Sequence, residues 1–394
     1  MHVLIVPSER MVSAENPVSG IFQLHQAVAL YKAGVNVGVV APAPKSIRNL
    51  RSIFSVSQGL KTDKQFPFPV MVNNYISWCP GRFNKIMQLS WNRFCKQMLH
   101  DYVECYGRPD LIHAHNVVFS GVSSGIFAKE LGIPYIITEH SSGFSTGSVI
   151  PSRMVRVAYR YASARIMVSP FLGTKVEALI GKDATPWGYI PNILEPIFAE
   201  KFGANNTNGS DLFRFLCVAQ FVPIKNHVGL IQAFASVFRG NRNVKLVLGG
   251  SGQLFEDIRE LVVNCGVPDQ VEFLGLLSRE QVVEEMSRCD SLVLPSYSET
   301  FGVVLIEAMA CGKPVVAPSG SGCEAIVNEN NGLLFTPGDG CDLAEALKKM
   351  FDSSTRFNPV TIRNECISKF SESAVINQLL TVYNRVLSEN TDID

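Results

Sequence analysis

Short apolar runs alternate along this chain with longer stretches in which apolar residues return every three or four positions. The short runs read as strands buried on both faces, the longer stretches as helices. In the first half, strands are expected at 2–6, 35–41, 70–78, 110–114, 134–138, 165–168 and 187–190, with helical patterns near 21–33, 83–106, 121–131, 152–163 and 171–180. The second half repeats the alternation, with strands at 213–219, 244–248, 271–274, 291–294, 314–317 and 332–335 and helices between them. Such alternation implies parallel sheets covered on both faces. No sequence repeat of short fixed period is visible, which argues against a solenoid. The segment Lys201–Ser210 is small, polar and rich in Gly and Asn, the composition of a linker. The expected fold class is therefore α/β, with two Rossmann-like, doubly wound parallel-sheet domains at 1–200 and 201–370. A last helix near 372–388 lies in the closing segment 371–394.

Composition narrows the class further. With 394 residues, 46% apolar and 18% charged, the chain can bury two substantial cores. Its formal net charge is zero, so no global field argues for nucleic acid, and attraction to an anionic membrane would need a local patch. The opening Met1-His2-Val3-Leu4-Ile5-Val6-Pro7 is too short for a signal peptide and suits a first buried strand. No stretch approaches the ~20 apolar residues that span a bilayer. The ten cysteines contain no Cys-x-x-Cys pair and several lie in apolar segments, as reduced cytosolic thiols do, so a cytoplasmic location is expected.

The most informative single residue is Glu307, the only charge in Phe301-Gly302-Val303-Val304-Leu305-Ile306-Glu307-Ala308-Met309-Ala310, with Glu299 eight positions upstream. A helix apolar on every side is a buried one, and a lone carboxylate there costs several kcal/mol unless something hydrogen-bonds it. Thr300 is the expected N-cap. The N–H groups of Phe301, Gly302 and Val303 would then point beyond the strand end, where Gly302 lets an anion approach the backbone closely. Phosphate at a helix start with carboxylates beside it suggests a nucleotide sugar, its diphosphate on the N–H groups and its hydroxyls on Glu299 and Glu307. The alternative, a carboxylate paired with a core Arg or Lys, stays open.

Glu299-x7-Glu307, followed by Ala308-Met309-Ala310-Cys311-Gly312-Lys313-Pro314-Val315-Val316-Ala317, resembles the signature of the retaining GT-B glycosyltransferases of family 4. Val271–Gly275 and Asp290–Ser296 resemble the strands leading into that signature, Asn331–Phe335 the strand after it, and Ile190-Pro191-Asn192 the Pro-Asn element between the halves. The resemblance is dense from about Leu212 to Asp339. It implies two facing domains with the active site at the carboxyl ends of their strands, and a C-terminal helix that returns to the first domain. Lys225 aligns with the family's phosphate-binding lysine, whose other reading is a solvated helix-start lysine. Gln220 stands where the family usually has Arg, a departure that removes a charge and a bidentate fork from the donor site. Gly20 resembles the Gly-rich first loop near the donor diphosphate, though an ordinary loop glycine reads the same way. His140, at the end of Ile136-Ile137-Thr138-Glu139, matches the family histidine near the reacting sugar, where a neutral imidazole could hydrogen-bond a donor hydroxyl. Its alternative is a strand-end cap. Gly320-Ser321-Gly322-Cys323-Glu324 resembles the loop near the diphosphate, with Glu324 structural.

Other patterns carry less. Gly249-Gly250-Ser251-Gly252 lacks dinucleotide spacing, which disfavours a nicotinamide enzyme. His113 and His115 share one face of a strand, but two ligands do not make a zinc site. With Glu139 they either line the acceptor side or pack under the loop after His140. Asp392-Ile393-Asp394 formally spells a metal-binding Asp-x-Asp at a chain end expected to fray, and is set aside. Arg153, Arg156, Arg160 and Arg165, and Arg82, Lys85, Arg93 and Lys96, form either a basic face towards anionic lipid or a lipid-diphosphate acceptor, or ordinary solvated helix charges.

Taken together, the residues and the resemblance imply a retaining glycosyltransferase that needs no metal and no cofactor. Its substrates would be a UDP- or GDP-linked sugar and a glycan or lipid-linked acceptor, in bacterial cell-surface polysaccharide or glycolipid assembly at the inner face of the plasma membrane. His140, Glu299 and Lys225 would carry catalysis. Gly20, Gln220, Lys225, Glu299, Phe301, Gly302, Val303 and Glu307 would bind the donor. The other class is a catalytically silent sugar-nucleotide-binding subunit.

Overall fold

The computed structural model describes residues 1–8, 21–46, 59–62, 65–77, 84–181, 186–200 and 212–391. Gly20, Arg82, the linker 201–210 and Asp392–Asp394 lie outside the described residues, as does the side chain of Lys85. The chain forms two compact units. The first comprises Met1–Val168, Leu172–Ile193 and Val375–Asp394, the second Ser169–Phe171 and Leu194–Ala374.

The first unit holds the strands β1 (His2–Val6), β2 (Asn36–Ser46), β3 (Gly59–Thr62), β4 (Val70–Ser77), β5 (Leu111–His115), β6 (Tyr135–Glu139), β7 (Ala164–Met167) and β8 (Trp187–Tyr189). They join in the order β3-β4-β2-β1-β5-β6-β7-β8. Every pairing is parallel except β3 with β4, an antiparallel edge that the expected all-parallel pattern lacks. Antiparallel edge strands on parallel sheets are common, because an edge needs no crossover helix to reach it. β5 and β6 are buried along their whole length, as central strands of a sheet covered on both faces should be.

The helices α1 (Ile21–Lys32), α2 (Asn84–Tyr106), α3 (Val122–Leu131), α4 (Arg153–Tyr161) and α5 (Pro170–Ile180) are the crossovers of this half. Ser152 starts α4 by accepting from the N–H of Val155 at 3.3 Å.

The second unit pairs β9 (Phe213–Val218), β10 (Val244–Gly249), β11 (Val271–Gly275), β12 (Ser291–Val293), β13 (Val315–Pro318) and β14 (Gly332–Phe335) in the order β11-β10-β9-β12-β13-β14, all parallel. Its helices are α6 (His227–Phe238), α7 (Phe255–Asn264), α8 (Arg279–Arg288), α9 (Val303–Ala310), α10 (Gly340–Asp352) and α11 (Pro359–Phe370). A last helix, α12 (Glu372–Thr391), belongs to the first unit: its Val375, Ile376, Leu379, Tyr383 and Val386 enter the core formed by Val3, Ile5, Leu30 and Val37.

Both sheets reverse strand order once, between β1 and β5 and between β9 and β12. Neighbouring crossovers leave in opposite directions at such a point, so the loops beyond the strand ends open into a crevice. These positions set where chemistry can occur.

Candidate functional site

In the second unit the reversal brings the loop after β9 beside the loop after β12. Lys225 and Glu299, 74 positions apart, meet there with Lys225 Nζ 2.6 Å from Glu299 Oε1. The same oxygen accepts from Ser296 Oγ at 2.6 Å. The two loops are also joined by backbone: Tyr297 N–H donates to Ile224 C=O at 2.9 Å. Asn226 adds a side-chain link, its Nδ2 donating to Pro295 C=O at 3.3 Å while its Oδ1 accepts from Gly229 N–H at 3.1 Å. Asn226 stands at φ 49°, a conformation Asn tolerates better than most residues, so the turn that carries Lys225 also caps α6. The lysine is held by a bonded turn rather than by a free loop.

α9 begins one turn beyond this pair. Its N-cap is Gly302 at φ 94°, with no side-chain capping bond. The expected cap, Thr300, instead has its carbonyl taken by Ser169 Oγ at 2.6 Å. The left-handed backbone at Gly302 explains the difference, since Thr in that conformation would pay for its Cβ. Helix geometry leaves the N–H groups of Val303 and Val304 without intrahelical partners. The loop after β13 closes over the same spot, with Gly322 N–H donating to Glu299 C=O at 2.8 Å. A Cβ on Gly322 would lie 2.0 Å from Thr300 C=O, so only glycine permits the approach. Phe301 is fully buried, its ring edge-on to Phe370 at 5.9 Å, and can offer a ligand only backbone. Gln220 is exposed on the loop after β9.

Glu307 is 4% exposed and forms an ion pair with Arg279. Arg279 also pairs with Glu195 at 2.6 Å and lies over the Phe198 ring at 4.7 Å. Burial pushes the Glu307 carboxyl above the usual carboxylate range, and the Arg279 charge works against it. One oxygen of Glu307 thus has the basic core partner that the sequence left open. Nothing in the spacing of Arg279 or Glu195 could have announced it, because the contact is tertiary.

In the first unit three histidines stack at the ends of β5 and β6. The rings of His113 and His115 lie 4.5 Å apart and those of His115 and His140 5.2 Å apart, all nearly parallel. His115 Nδ1 and His140 Nε2 share a hydrogen bond of 3.0 Å. His113 bonds through Nδ1 to the hydroxyl of Tyr383 on α12 and through Nε2 to Thr138 Oγ1, each at 2.7 Å. Burial drives His113 down to about 3 and His140 to about 4. Burial likewise holds His115 well below the ordinary value. All three shifts favour the neutral imidazole.

His140 Nδ1 and His115 Nε2 are buried without a hydrogen-bond partner. His140, Thr138, Gln26 and Asn192 line a pocket of about 10 Å³, room for one water. His113 and His115 are 0% exposed, beneath His140 rather than open to an acceptor.

Glu139 is also 0% exposed: its Oε2 accepts from Val117 N–H at 3.0 Å and Tyr159 Oη at 2.7 Å, and its Oε1 from Ser141 N–H at 3.0 Å. Its role is to fix the loops around His140. Burial raises its carboxyl, and those hydrogen bonds oppose the rise.

One supporting residue escaped sequence reasoning. Asn116, at φ 63°, accepts from the His140 N–H at 2.9 Å and donates to Ser8 Oγ at 2.7 Å. It ties the loops of the β1–β5 reversal to His140. An Asn just past a strand end was the available signal, since Asn tolerates positive φ.

Two family models match this chain in tandem. Glycosyltransferase Family 4 matches residues 21–196, and Glycosyl transferases group 1 matches residues 199–367. An uncharacterized glycosyltransferase of Methanocaldococcus jannaschii is 30% identical over 254 residues, 62% of this chain and 66% of that protein. The D-inositol 3-phosphate glycosyltransferase of Stackebrandtia nassauensis is 28% identical over 305 residues, 70% of this chain and 68% of that one. The chain thus spans about two thirds of the length of these relatives. Among solved structures, Anabaena Alr3699/HepE in complex with UDP has a TM-score of 0.72 at 20% identity, covering 98% of this chain and 100% of that one. At that identity the likeness is one of fold.

Proposed function

The chain belongs to the GT-B glycosyltransferases of family 4, and we propose from that premise that it transfers a sugar from a nucleoside diphosphate donor to an acceptor hydroxyl with retention at the anomeric carbon. The observation that carries the reading is the Lys225–Glu299 contact at the reversal of the second sheet. It holds a phosphate-binding cation and a hydroxyl-binding carboxylate within one hydrogen bond, at the start of a helix whose first N–H groups have no intrahelical partners. A donor carries both matching groups, a diphosphate and a sugar with several hydroxyls. On binding, the diphosphate takes Lys225 and the α9 N–H groups, and Glu299 turns to the sugar hydroxyls.

Glu299 is held by Lys225 and Ser296, which suits a hydrogen-bonding carboxylate better than a covalent nucleophile. We therefore favour front-face attack assisted by the departing phosphate. Charge developing on that phosphate is met by Lys225 and by backbone dipoles, so the chemistry needs no metal. Glu307, with one oxygen on Arg279, is assigned the ribose hydroxyls with the other. His140 is neutral, and its role is to hydrogen-bond a sugar hydroxyl rather than to carry charge. A UDP-linked donor is the first to test, because the Anabaena relative of this fold was solved with UDP. The family resemblance supports a glycan or lipid-linked acceptor, in cell-surface polysaccharide or glycolipid assembly.

The test is release of UDP or GDP from a panel of donors, with and without acceptor and in excess EDTA, with the product anomer read by NMR. Turnover in EDTA with the donor's anomeric configuration kept is the expected result. An inverted product, or activity only with added Mg²⁺, would overturn the mechanism. Binding without release from any donor would favour the silent subunit.

A further inference from the structure

The histidines at the ends of β5 and β6 leave two ring nitrogens over, and those two decide where the protons of the pair sit. His115 Nδ1 and His140 Nε2 are 3.0 Å apart, so one of them carries a proton and the other accepts it. Burial lowers both groups, which favours one proton on each ring. The direction of this single hydrogen bond therefore fixes both tautomers at once. His115 Nε2 and His140 Nδ1 are the leftover atoms, each buried and without a partner among the described residues.

Suppose first that His140 donates from Nε2. His115 must then carry its proton on Nε2, as a buried N–H with nothing to receive it. His113, 4.5 Å away ring to ring, offers no help, because its own nitrogens are engaged by Tyr383 and Thr138. His140 Nδ1 would meanwhile be a bare lone pair. The pocket that His140 lines is also lined by Gln26, whose Oε1 is buried and unpaired, so two unpaired acceptors would share it. Suppose instead that His115 donates from Nδ1. Its Nε2 is then only an unpaired acceptor, and among backbone groups an orphaned buried N–H is the rarer of the two defects. His140 carries its proton on Nδ1 and brings an N–H to a pocket that already holds an unpaired carbonyl oxygen. Both leftover atoms favour the second arrangement.

We propose that His115 is a positioning residue for His140: by donating from Nδ1 it keeps the His140 proton on Nδ1, so that this ring meets a ligand only as a hydrogen-bond donor. The His140 backbone is fixed as well, its N–H donating to Asn116 Oδ1 at 2.9 Å. The pocket measures about 10 Å³, room for one oxygen atom. It takes a hydroxyl that accepts from His140 Nδ1 and donates to Gln26 Oε1. An ammonium in that place has no lone pair to accept with, so the subsite selects a hydroxyl over a charged amine. The identity of the ligand as a sugar rests on the transfer proposed above. The tautomer does not, because it follows from hydrogen bonds within the protein.

The experiment is a ¹H–¹⁵N correlation spectrum of the full chain labelled at histidine, which separates protonated from bare ring nitrogens. Seven histidines give a spectrum that single substitutions can assign. His115 and His140 should each show a protonated Nδ1 and a bare Nε2, the His140 Nε2 at the position of a hydrogen-bonded lone pair. In His115→Leu nothing donates to that nitrogen and its signal should move, whereas His115→Asn, with an amide N–H in reach, should keep it. Calorimetry with the cognate sugar nucleotide and with the free nucleoside diphosphate gives the second readout. Losing one neutral hydrogen bond is worth roughly twofold to tenfold. The ratio of sugar-nucleotide to diphosphate affinity should fall by about that factor in His115→Leu and in Gln26→Leu, and His115→Asn should recover most of it. Adding His115→Leu to His140→Gln should lower the ratio no further, since His115 acts only through His140. Thermal unfolding of each variant checks that it folds, and the wild-type spectrum and His115→Asn decide the matter if His115→Leu does not. A wild-type His140 protonated on Nε2, an unmoved His140 signal in folded His115→Leu, or losses that simply add in the double variant would each overturn the proposal. A chain that binds no sugar nucleotide would count against the transfer alone, because the spectrum needs no donor.

Discussion

Replacing Glu299 by Gln tests the donor site most sharply, because it should move two ligands in opposite directions. Glu299 Oε1 lies 2.6 Å from Lys225 Nζ, with side chains 13% and 27% exposed. A partly exposed pair of this kind contributes only about 0–1 kcal/mol to folding, so Glu299→Gln should leave the unfolding midpoint nearly unchanged. Its effect on ligands is larger. A diphosphate on Lys225 places negative charge near the Glu299 carboxylate. At ~6 Å and an effective dielectric of ~20–40, the repulsion is roughly 1–3 kcal/mol. Removing the carboxylate's charge removes that repulsion and frees Lys225. Nucleoside diphosphate should therefore bind tighter by roughly tenfold or more.

The sugar moiety responds the other way. A hydroxyl donating to a carboxylate is worth about 1.5–3 kcal/mol and one donating to an amide about 0.5–1.5. The sugar should therefore add about 1 kcal/mol less to binding in the variant. Calorimetric titration with UDP, UMP and the cognate UDP-sugar (or the GDP series) reads both effects. UDP should gain affinity while the ratio of sugar-nucleotide to UDP affinity falls about fivefold. If UDP and UDP-sugar lost affinity equally in a folded Glu299→Gln protein, Glu299 would be positioning Lys225 and not contacting the sugar, and its assigned role would have to be withdrawn.

Glu307→Gln should lower nucleotide affinity on the order of tenfold, with the fold retained because Glu195 still engages Arg279. Loss of folded protein with unchanged affinity would reduce Glu307 to a core ion pair. Arg279→Ala should be the worse variant, destabilising by about 1–3 kcal/mol in denaturant titration because it leaves the buried Glu307 carboxyl without its partner; a loss below that of Glu307→Gln would refute the packing described here. The histidine stack makes the first unit acid-sensitive. His113, His115 and His140 have folded pKa values below the ordinary 6.5, so their contribution is fully present above pH 6.5. It is lost as pH falls towards about 4 and then 3, because the unfolded chain takes up protons that the folded one excludes. Each histidine should cost about 1.4 kcal/mol at one pH unit below its unfolded pKa. Stability that stayed flat from neutral pH down to about one unit below 6.5 would contradict the buried, neutral stack.

The alternation of apolar runs and helical periods was enough to place the parallel strands of both sheets but not the antiparallel edge β3, because strands covered on both faces write continuous apolar runs into the chain. β6 is a clear case: it is an apolar run, Tyr135-Ile136-Ile137, closed by Thr138 and Glu139 at its carboxyl end, and it is buried throughout. The family motifs likewise singled out Lys225, Glu299, Glu307 and His140, each legible as a local pattern in the chain. What the sequence could not hold was partnership. Lys225 meets Glu299 because β9 and β12 are neighbours across the sheet reversal. Tyr383 reaches His113 from 270 positions away, and Arg279 settles between Glu195 and Glu307 from three separate segments. The positive φ at Gly302, which moved the helix start past Thr300, and at Asn116, which anchors His140, also follows from the packing around each turn. Periodicity reports how each residue meets the core as a whole. Which side chain it meets there is fixed only when strand order closes the chain on itself, and the chemistry of the site depends on those meetings.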